Sequence, residues 1–232
     1  MTNILVSFPK SGRTWVLHAC QLAGLAVKFT HAGCGGSMDE IGREFNGIPD
    51  ELANCPLVFL HRNPLDTSVS YFFHLKYRGP LRAPFKRLKL LFQGRHPPPS
   101  LKRFVLDDRF GVGAISRFNR GWLDYLSERD DCLVISYEEL KADQVAGFSR
   151  LFTFFGKPDV DVEHIVEQSS FENMRKKELK GADPASRLRR VKPGNPESGK
   201  VRRGKVKGYV DYLDEATIQQ ARQIAARHGF EI

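Results

Sequence analysis

No acidic side chain occurs between Thr67 and Leu106, a stretch that carries nine cations: Lys76, Arg78, Arg82, Lys86, Arg87, Lys89, Arg95, Lys102 and Arg103. Acids are also scarce from Arg175 to Lys207, where thirteen Lys and Arg meet only Glu178, Asp183 and Glu197. The formal charge of the whole chain is +9, so the remainder is acidic. This excludes an evenly basic protein. It reads as two solvated basic loops, or as two basic walls that focus a field on an anion between them. Cysteine is sparse too: Cys20, Cys34, Cys55 and Cys132 form no C-x-x-C pair and no metal-ligand spacing. Cys20 and Cys132 fall in apolar patterns and are expected to be reduced core thiols. No apolar run approaches the ~20 residues that span a bilayer, and no signal peptide precedes the first apolar run. A soluble, cytoplasmic protein without a membrane span is the expectation. No internal repeat is visible.

What is present describes a globular chain. Hydrophobic residues make up 41% and Phe alone contributes 17 of 232, enough for a full core in one domain. Apolar runs at Ile4–Phe8, Ala26–Thr30, Leu57–Leu60 and Leu133–Ser136 read as strands. Helical patterns lie at 14–22, 64–77, 112–128, 145–155 and 215–228, with a short helix start near 48–52. Phe148, Leu151, Phe152 and Phe155 share helical spacing, a stripe that reads as core. Strands alternating with helices predict an α/β fold: a single domain over residues 1–232 with a mostly parallel central sheet and helices on both faces. Residues 33–37 form a Gly-rich loop, and Pro97-Pro98-Pro99 rules out a regular helix there. Residues 76–108 are expected to be a basic insertion or lid on the acceptor side, and 181–200 a flexible basic loop.

Residues 7–15 read Ser-Phe-Pro-Lys-Ser-Gly-Arg-Thr-Trp after the first apolar run. A strand entering a tight Gly-containing turn and then a helix aims several N–H groups at one point, which suits an anion with several oxygens. The segment almost fits G-x-x-x-x-G-K-[ST], but Ser7 replaces the first Gly and Arg13 replaces the Lys, while Lys10 sits inside the loop. Further on, Arg62 follows the carboxyl end of the third strand, where ligands of open α/β sheets collect. Ser70 lies about two helical turns beyond it. An Arg fork and a hydroxyl together can hold a phosphate.

Together these segments resemble the sulfotransferases that use 3′-phosphoadenosine 5′-phosphosulfate (PAPS). Pro9-Lys10-Ser11-Gly12-Arg13-Thr14-Trp15 resembles P-K-S-G-T-T-W, and Arg62, Asn63, Asp66 and Ser70 match R-N-x-x-D-x-x-x-S. Arg202-Arg203-Gly204, with Gly208, loosely matches R-K-G-x-x-G. Weaker echoes are Ser136-Tyr137-Glu138-Glu139-Leu140 and Ser169-Ser170-Phe171-Glu172-Asn173-Met174.

The resemblance implies a P-loop NTPase-like α/β/α fold, PAPS as co-substrate, adenosine 3′,5′-bisphosphate (PAP) as product, and no metal. It implies that Lys10 touches the 5′-phosphosulfate, while Ser11, Gly12, Arg13 and Thr14 border the 5′-phosphate. Trp15 and Phe171, with Ser169 beside them, would sandwich adenine, and Tyr137 would lie near its exocyclic amine. Arg62, Ser70, Arg202, Arg203 and Gly204 would hold the 3′-phosphate. His31, in Phe29-Thr30-His31, is the candidate base; His61 and His74 are the alternatives. The acceptor is expected to be a small molecule, glycan or peptide with a hydroxyl or amine, and no specific nucleic-acid partner is expected.

Two other classes compete. A P-loop nucleotide kinase or NTPase predicts Gly at 7, Lys at 13 and a strand-terminal Asp, none of which is present. A non-catalytic basic module would bind a polyanion through 76–103, but leaves the order of Lys10, Arg62 and Arg202 unexplained.

Overall fold

A computed structural model describes residues 2–33, 45–78, 96–180 and 194–232, with 85, 88, 91 and 92 between them. Cys34, most of the 33–37 loop and most of residues 79–95 lie outside the described residues, as does 181–193 of the basic loop.

Four strands form one sheet in the order β2-β1-β3-β4: β1 (Asn3–Ser7), β2 (Val27–Thr30), β3 (Val58–His61) and β4 (Leu133–Ser136). Every ladder is parallel, with Val6 opposite Thr30 and Phe59, and His61 opposite Ser136. Successive strand residues point to opposite faces. Val6, Leu57 and Phe59 pack into one cluster with Phe118 and Trp122, while Leu5, Val58, Leu60 and Ile135 pack into another with Val16, Phe148 and Phe152. Both faces are therefore covered, which is why the strands read as unbroken apolar runs.

The first face carries α3 (Pro64–Tyr77) and α5 (Val112–Leu126); the second carries α1 (Arg13–Leu22), α7 (Gln144–Phe154) and α8 (Val162–Gln168). A short α2 spans Asp50–Ala53, and α10 (Glu215–Arg227) closes the chain against α3 and α4 (Leu101–Leu106) through Leu65, Val105 and Ile218. This is the expected three-layer α/β/α arrangement. Among the described residues, no helix is long and apolar enough to cross a membrane.

Some expectations are refined. Helix α4 was not anticipated: Ser100 accepts a hydrogen bond from the Arg103 amide, and Phe104 and Val105 are fully buried. The end of the 76–108 stretch thus packs into the core. Helix α6 (Tyr137–Ala142) starts directly from β4, because Ser136 and Glu139 form a capping box. Helix α9 (Phe171–Lys180) follows a turn after α8. Cys20 is buried as expected, but Cys132 is only half-buried, at the edge where its thiol faces the Cys55 carbonyl. The last part of the 181–200 loop is docked: a 3₁₀ turn at Pro196–Ser198 buries Ser198, whose carbonyl accepts from Arg78 at 3.0 Å.

Candidate functional site

Because all four strands run the same way, Ser7, Thr30, His61 and Ser136 end at one edge, and the loops that follow them meet there. The turn after β1 reverses sharply. Lys10 adopts φ +77° and Gly12 φ +101°, so a non-glycine residue occupies the left-handed region inside the loop. Gly12 is the N-cap of α1, and the first turn of that helix contains no acid to neutralise its positive end. A Cβ on Gly12 would come within 2.6 Å of the Tyr137 ring, so glycine is needed for conformation and for space.

Arg62 ties the loops together. One Nη donates to the Lys10 carbonyl at 3.4 Å and the other to the Lys205 carbonyl at 2.9 Å. The Asp66 carboxylate stands 3.6 Å away, and the guanidinium carbon lies 4.2 Å over the Tyr137 ring. The turn after it is set by Asn63, which caps α3 by accepting from the Leu65 and Asp66 amides, with Pro64 at the first helical position. Asp66, Ser70 and His74, one turn apart along α3, all line the same cavity.

The C-terminal strap is held over this edge by two buried carboxylates. Asp66 accepts from the Lys207 amide at 2.8 Å and the Tyr209 amide at 3.0 Å. Glu178 accepts from the Lys200 amide at 2.6 Å and the Val201 amide at 3.1 Å, with Arg78 3.6 Å away. Between these clamps run Arg202, Arg203 and Gly204. Arg202 donates to Glu197 and to the Tyr212 hydroxyl, and packs 4.9 Å over Phe73. Arg203 pairs with Asp211. Gly204, at φ +63°, leaves no room for a Cβ against the Phe171 ring.

A cavity of about 450 Å³ opens between the strap and the strand ends. It is lined by Lys10, Gly12, Arg13, Thr14, Trp15, His31, Arg62, Ser70, Tyr137, Ser169, Phe171, Arg202, Arg203 and Gly204. Of the residues that the resemblance assigns to the nucleotide, Ser11 alone is absent from the lining; its side chain is buried. Trp15 meets Tyr137 and Phe148 edge-on at 5.8 and 5.1 Å. Burial pushes Lys10 down to about 7, helped by the charges of Arg78, Arg202, Lys200 and Arg62.

His31 is buried, and its Nδ1 lies 2.5 Å from the Ser7 carbonyl. A carbonyl only accepts, so Nδ1 carries the proton and Nε2 holds the lone pair. That lone pair is in hydrogen-bond contact with the Arg13 guanidinium, which lies 4.0 Å over the Phe29 ring. Burial, and then the Arg13 charge, hold the imidazole down to about 4. His61 is not among the cavity residues. His74 is, and neither of its ring nitrogens has a hydrogen-bond partner among the described residues.

The structure adds residues that sequence reasoning passed over. Glu178 is an isolated acid in a Lys-rich run, but its i,i+4 spacing from Met174 marks a shared buried face. Lys200 and Lys141 also line the cavity, with no motif to announce them.

The comparisons agree on a family. A family model described as "Sulfotransferase domain" matches residues 45–228. Sulfotransferase 6B1 of Gorilla gorilla gorilla is 27% identical over 201 residues, covering 75% of this chain and 62% of that protein. The chain thus spans about three fifths of the length of that relative. Human sulfotransferase 2B1 is 27% identical over 121 residues, 51% of this chain and 30% of that one. Among solved structures, mouse sulfotransferase SULT7A1 complexed with PAP superposes with a TM-score of 0.67 at 19% identity, covering 98% of this chain and 84% of that one. A retinol dehydratase in complex with androsterone and inactive cofactor PAP gives 0.64 at 14% identity, covering 98% and 80%.

Two outcomes follow from this geometry. Asp66→Ala frees the Lys207 and Tyr209 amides, and hydrogen exchange there is expected to accelerate about tenfold or more, with the β3 amides unchanged. Lys10 titrates near 7 in the folded chain against an ordinary 10.5, so the unfolded chain binds more protons between those values. Its contribution to stability is therefore greatest above pH 10.5 and falls as pH drops towards 7. Lys10→Met is expected to raise the denaturation midpoint at pH 7 and to flatten this slope, as read by urea unfolding across that range.

Proposed function

The chain belongs to the sulfotransferase domain family, and from that premise we propose that it transfers a sulfuryl group from PAPS to a hydroxyl or amine, releasing PAP. The observation that carries this reading is the pairing, in one cavity, of an uncapped helix N-terminus beside Lys10 with Arg62 and Ser70.

In this reading the 5′-phosphosulfate lies against the amides of Gly12, Arg13 and Thr14, and the 3′-phosphate lies towards Arg62, Ser70 and the strap at Arg203–Gly204. Adenine occupies the aromatic side formed by Trp15, Phe171 and Tyr137, with Ser169 at its edge. The acceptor oxygen or nitrogen attacks sulfur as the bond from sulfur to the bridging oxygen breaks. Negative charge then grows on the 5′-phosphate oxygen that leaves with PAP. In this reading the Lys10 ammonium meets that charge, so its stabilisation is largest in the transition state. His31 takes the acceptor proton through Nε2, and the Ser7 carbonyl holds its ring in the tautomer that presents a lone pair. Cys20, Cys55 and Cys132 are free thiols, which suits a reducing, cytoplasmic setting.

Calorimetric titration with PAP and with ATP plus Mg²⁺ tests the donor. PAP is expected to bind at least about 100-fold more tightly, and Lys10→Ala and Arg62→Ala to weaken PAP more than ATP. Preference for ATP with Mg²⁺ would contradict the reading. His31→Ala is expected to retain PAP binding while losing about 100-fold or more in transfer of label from ³⁵S-PAPS; unchanged turnover removes His31 as base.

A further inference from the structure

Phe148 and Phe152 share a helical face that the core covers completely. Phe85, Leu88, Leu91 and Phe92 repeat at the same kind of spacing and lie in helical backbone, yet they are 86, 50, 60 and 83% exposed. Of the nine large hydrophobic residues exposed among the described residues, these four fall within eight positions, and the two phenylalanines are the most exposed of all. Steps of three, three and one keep successive residues close on a helix surface, so the four make one apolar face turned to solvent. Such a concentration marks a contact surface, where scattered single residues would not.

The sequence around this face is basic. Arg82, Lys86, Arg87, Lys89 and Arg95 lie between residues 79 and 95, and the same stretch has no Asp or Glu. We propose that residues 85–92 are a membrane-surface contact: the four apolar side chains enter the headgroup and upper acyl region of a bilayer containing anionic lipid, while the cations of the stretch bind its headgroups. The inference is independent of the transfer reaction, and the contact lies on the bilayer without spanning it.

Charge and apolar exposure together choose this partner. A nucleic acid or an anionic polysaccharide satisfies the cations but leaves Phe85 and Phe92 in water. A second copy of the chain covers the apolar residues but sets five cations against five, with no acid in the stretch to offset them. An anionic bilayer meets both demands, because a charged headgroup layer overlies hydrocarbon. It asks for no shaped pocket, only an apolar face with cations beside it.

The flanks tie the stretch to the folded body. Before it, Arg78 follows α3, donates to the Ser198 carbonyl at 3.0 Å and faces Glu178 at 3.6 Å. After it, Pro97 is buried, and Phe104 and Val105 of α4 sit in the core. The stretch also continues from the helix that carries Ser70 and His74 into the cavity wall.

Co-sedimentation of the full chain with vesicles tests the proposal, using phosphatidylcholine alone or mixed with phosphatidylglycerol. The wild type is expected to partition onto the anionic vesicles at least about tenfold more strongly than onto the neutral ones. Phe85→Ser combined with Phe92→Ser is expected to lose about tenfold or more of that binding, and Lys86→Gln, Arg87→Gln and Lys89→Gln together a comparable factor. Both phenylalanines already face water, so the Phe variant should keep the wild-type thermal midpoint. Phe92→Trp should retain binding, and its added emission should shift to the blue on anionic vesicles and be quenched by brominated acyl chains, which reports insertion and not adsorption.

Equal binding of wild type and the double Phe variant to anionic vesicles overturns the proposal, as does the absence of vesicle binding. In the second case, self-association that the Phe variant abolishes identifies a second copy as the occupant, and equal binding of polyphosphate by both proteins identifies a surface that works by charge alone. PAP affinity of the Phe variant is expected to stay within about twofold of wild type. Failure of wild type to bind PAP counts against the transfer reading and leaves the vesicle result standing.

Discussion

One guanidinium holds the candidate site together. Arg62 reaches the Lys10 carbonyl on the loop after β1 and the Lys205 carbonyl on the C-terminal strap, lies beside Asp66 on α3, and covers the Tyr137 ring at the start of α6. Four segments far apart in sequence are brought to one point by a planar group with five donors, which a lysine could not replace. The sheet makes this possible. Parallel strands deliver all their carboxyl ends to one edge, and Arg62 follows the central strand β3.

This gathering has an electrostatic consequence. Lys10, Arg13, Arg62, Lys200 and Arg202 crowd one cavity, and the two carboxylates that clamp the strap, Asp66 and Glu178, spend their lone pairs on backbone amides. Burial first, and this crowding second, push Lys10 down to about 7. Stability alone would favour fewer cations here. An anion with several charges would resolve the repulsion, the arrangement expected of a site built for binding at the expense of the unliganded chain.

Much of this was legible in the sequence because the signals were local. Ile4–Phe8 running into Gly12, and Leu57–Leu60 running into Asn63-Pro64, specify strand, turn and helix through apolar runs, φ requirements and an N-cap. Both loops lie where those signals place them. What was missed depends on contacts between distant segments. The roles of Asp66 and Glu178 emerge only when the strap folds back over α3 and α9, since each accepts from amides more than twenty residues away. Arg13 could be seen to depart from the family pattern, but its partner could not, because β2 delivers His31 beside α1 only through sheet pairing. The capping box at Ser136 and Glu139 was readable and would have announced α6.

In the proposed reading the cavity has two separate phosphate sites, one at the loop after β1 and one at Arg62, Ser70 and the strap. The most direct measurement compares the affinity of PAP with that of adenosine 5′-monophosphate, which lacks only the 3′-phosphate. Two sites predict that PAP binds at least about 100-fold more tightly at moderate salt, with the difference largely lost in Arg62→Ala. Equal affinities for the two nucleotides would contradict the account.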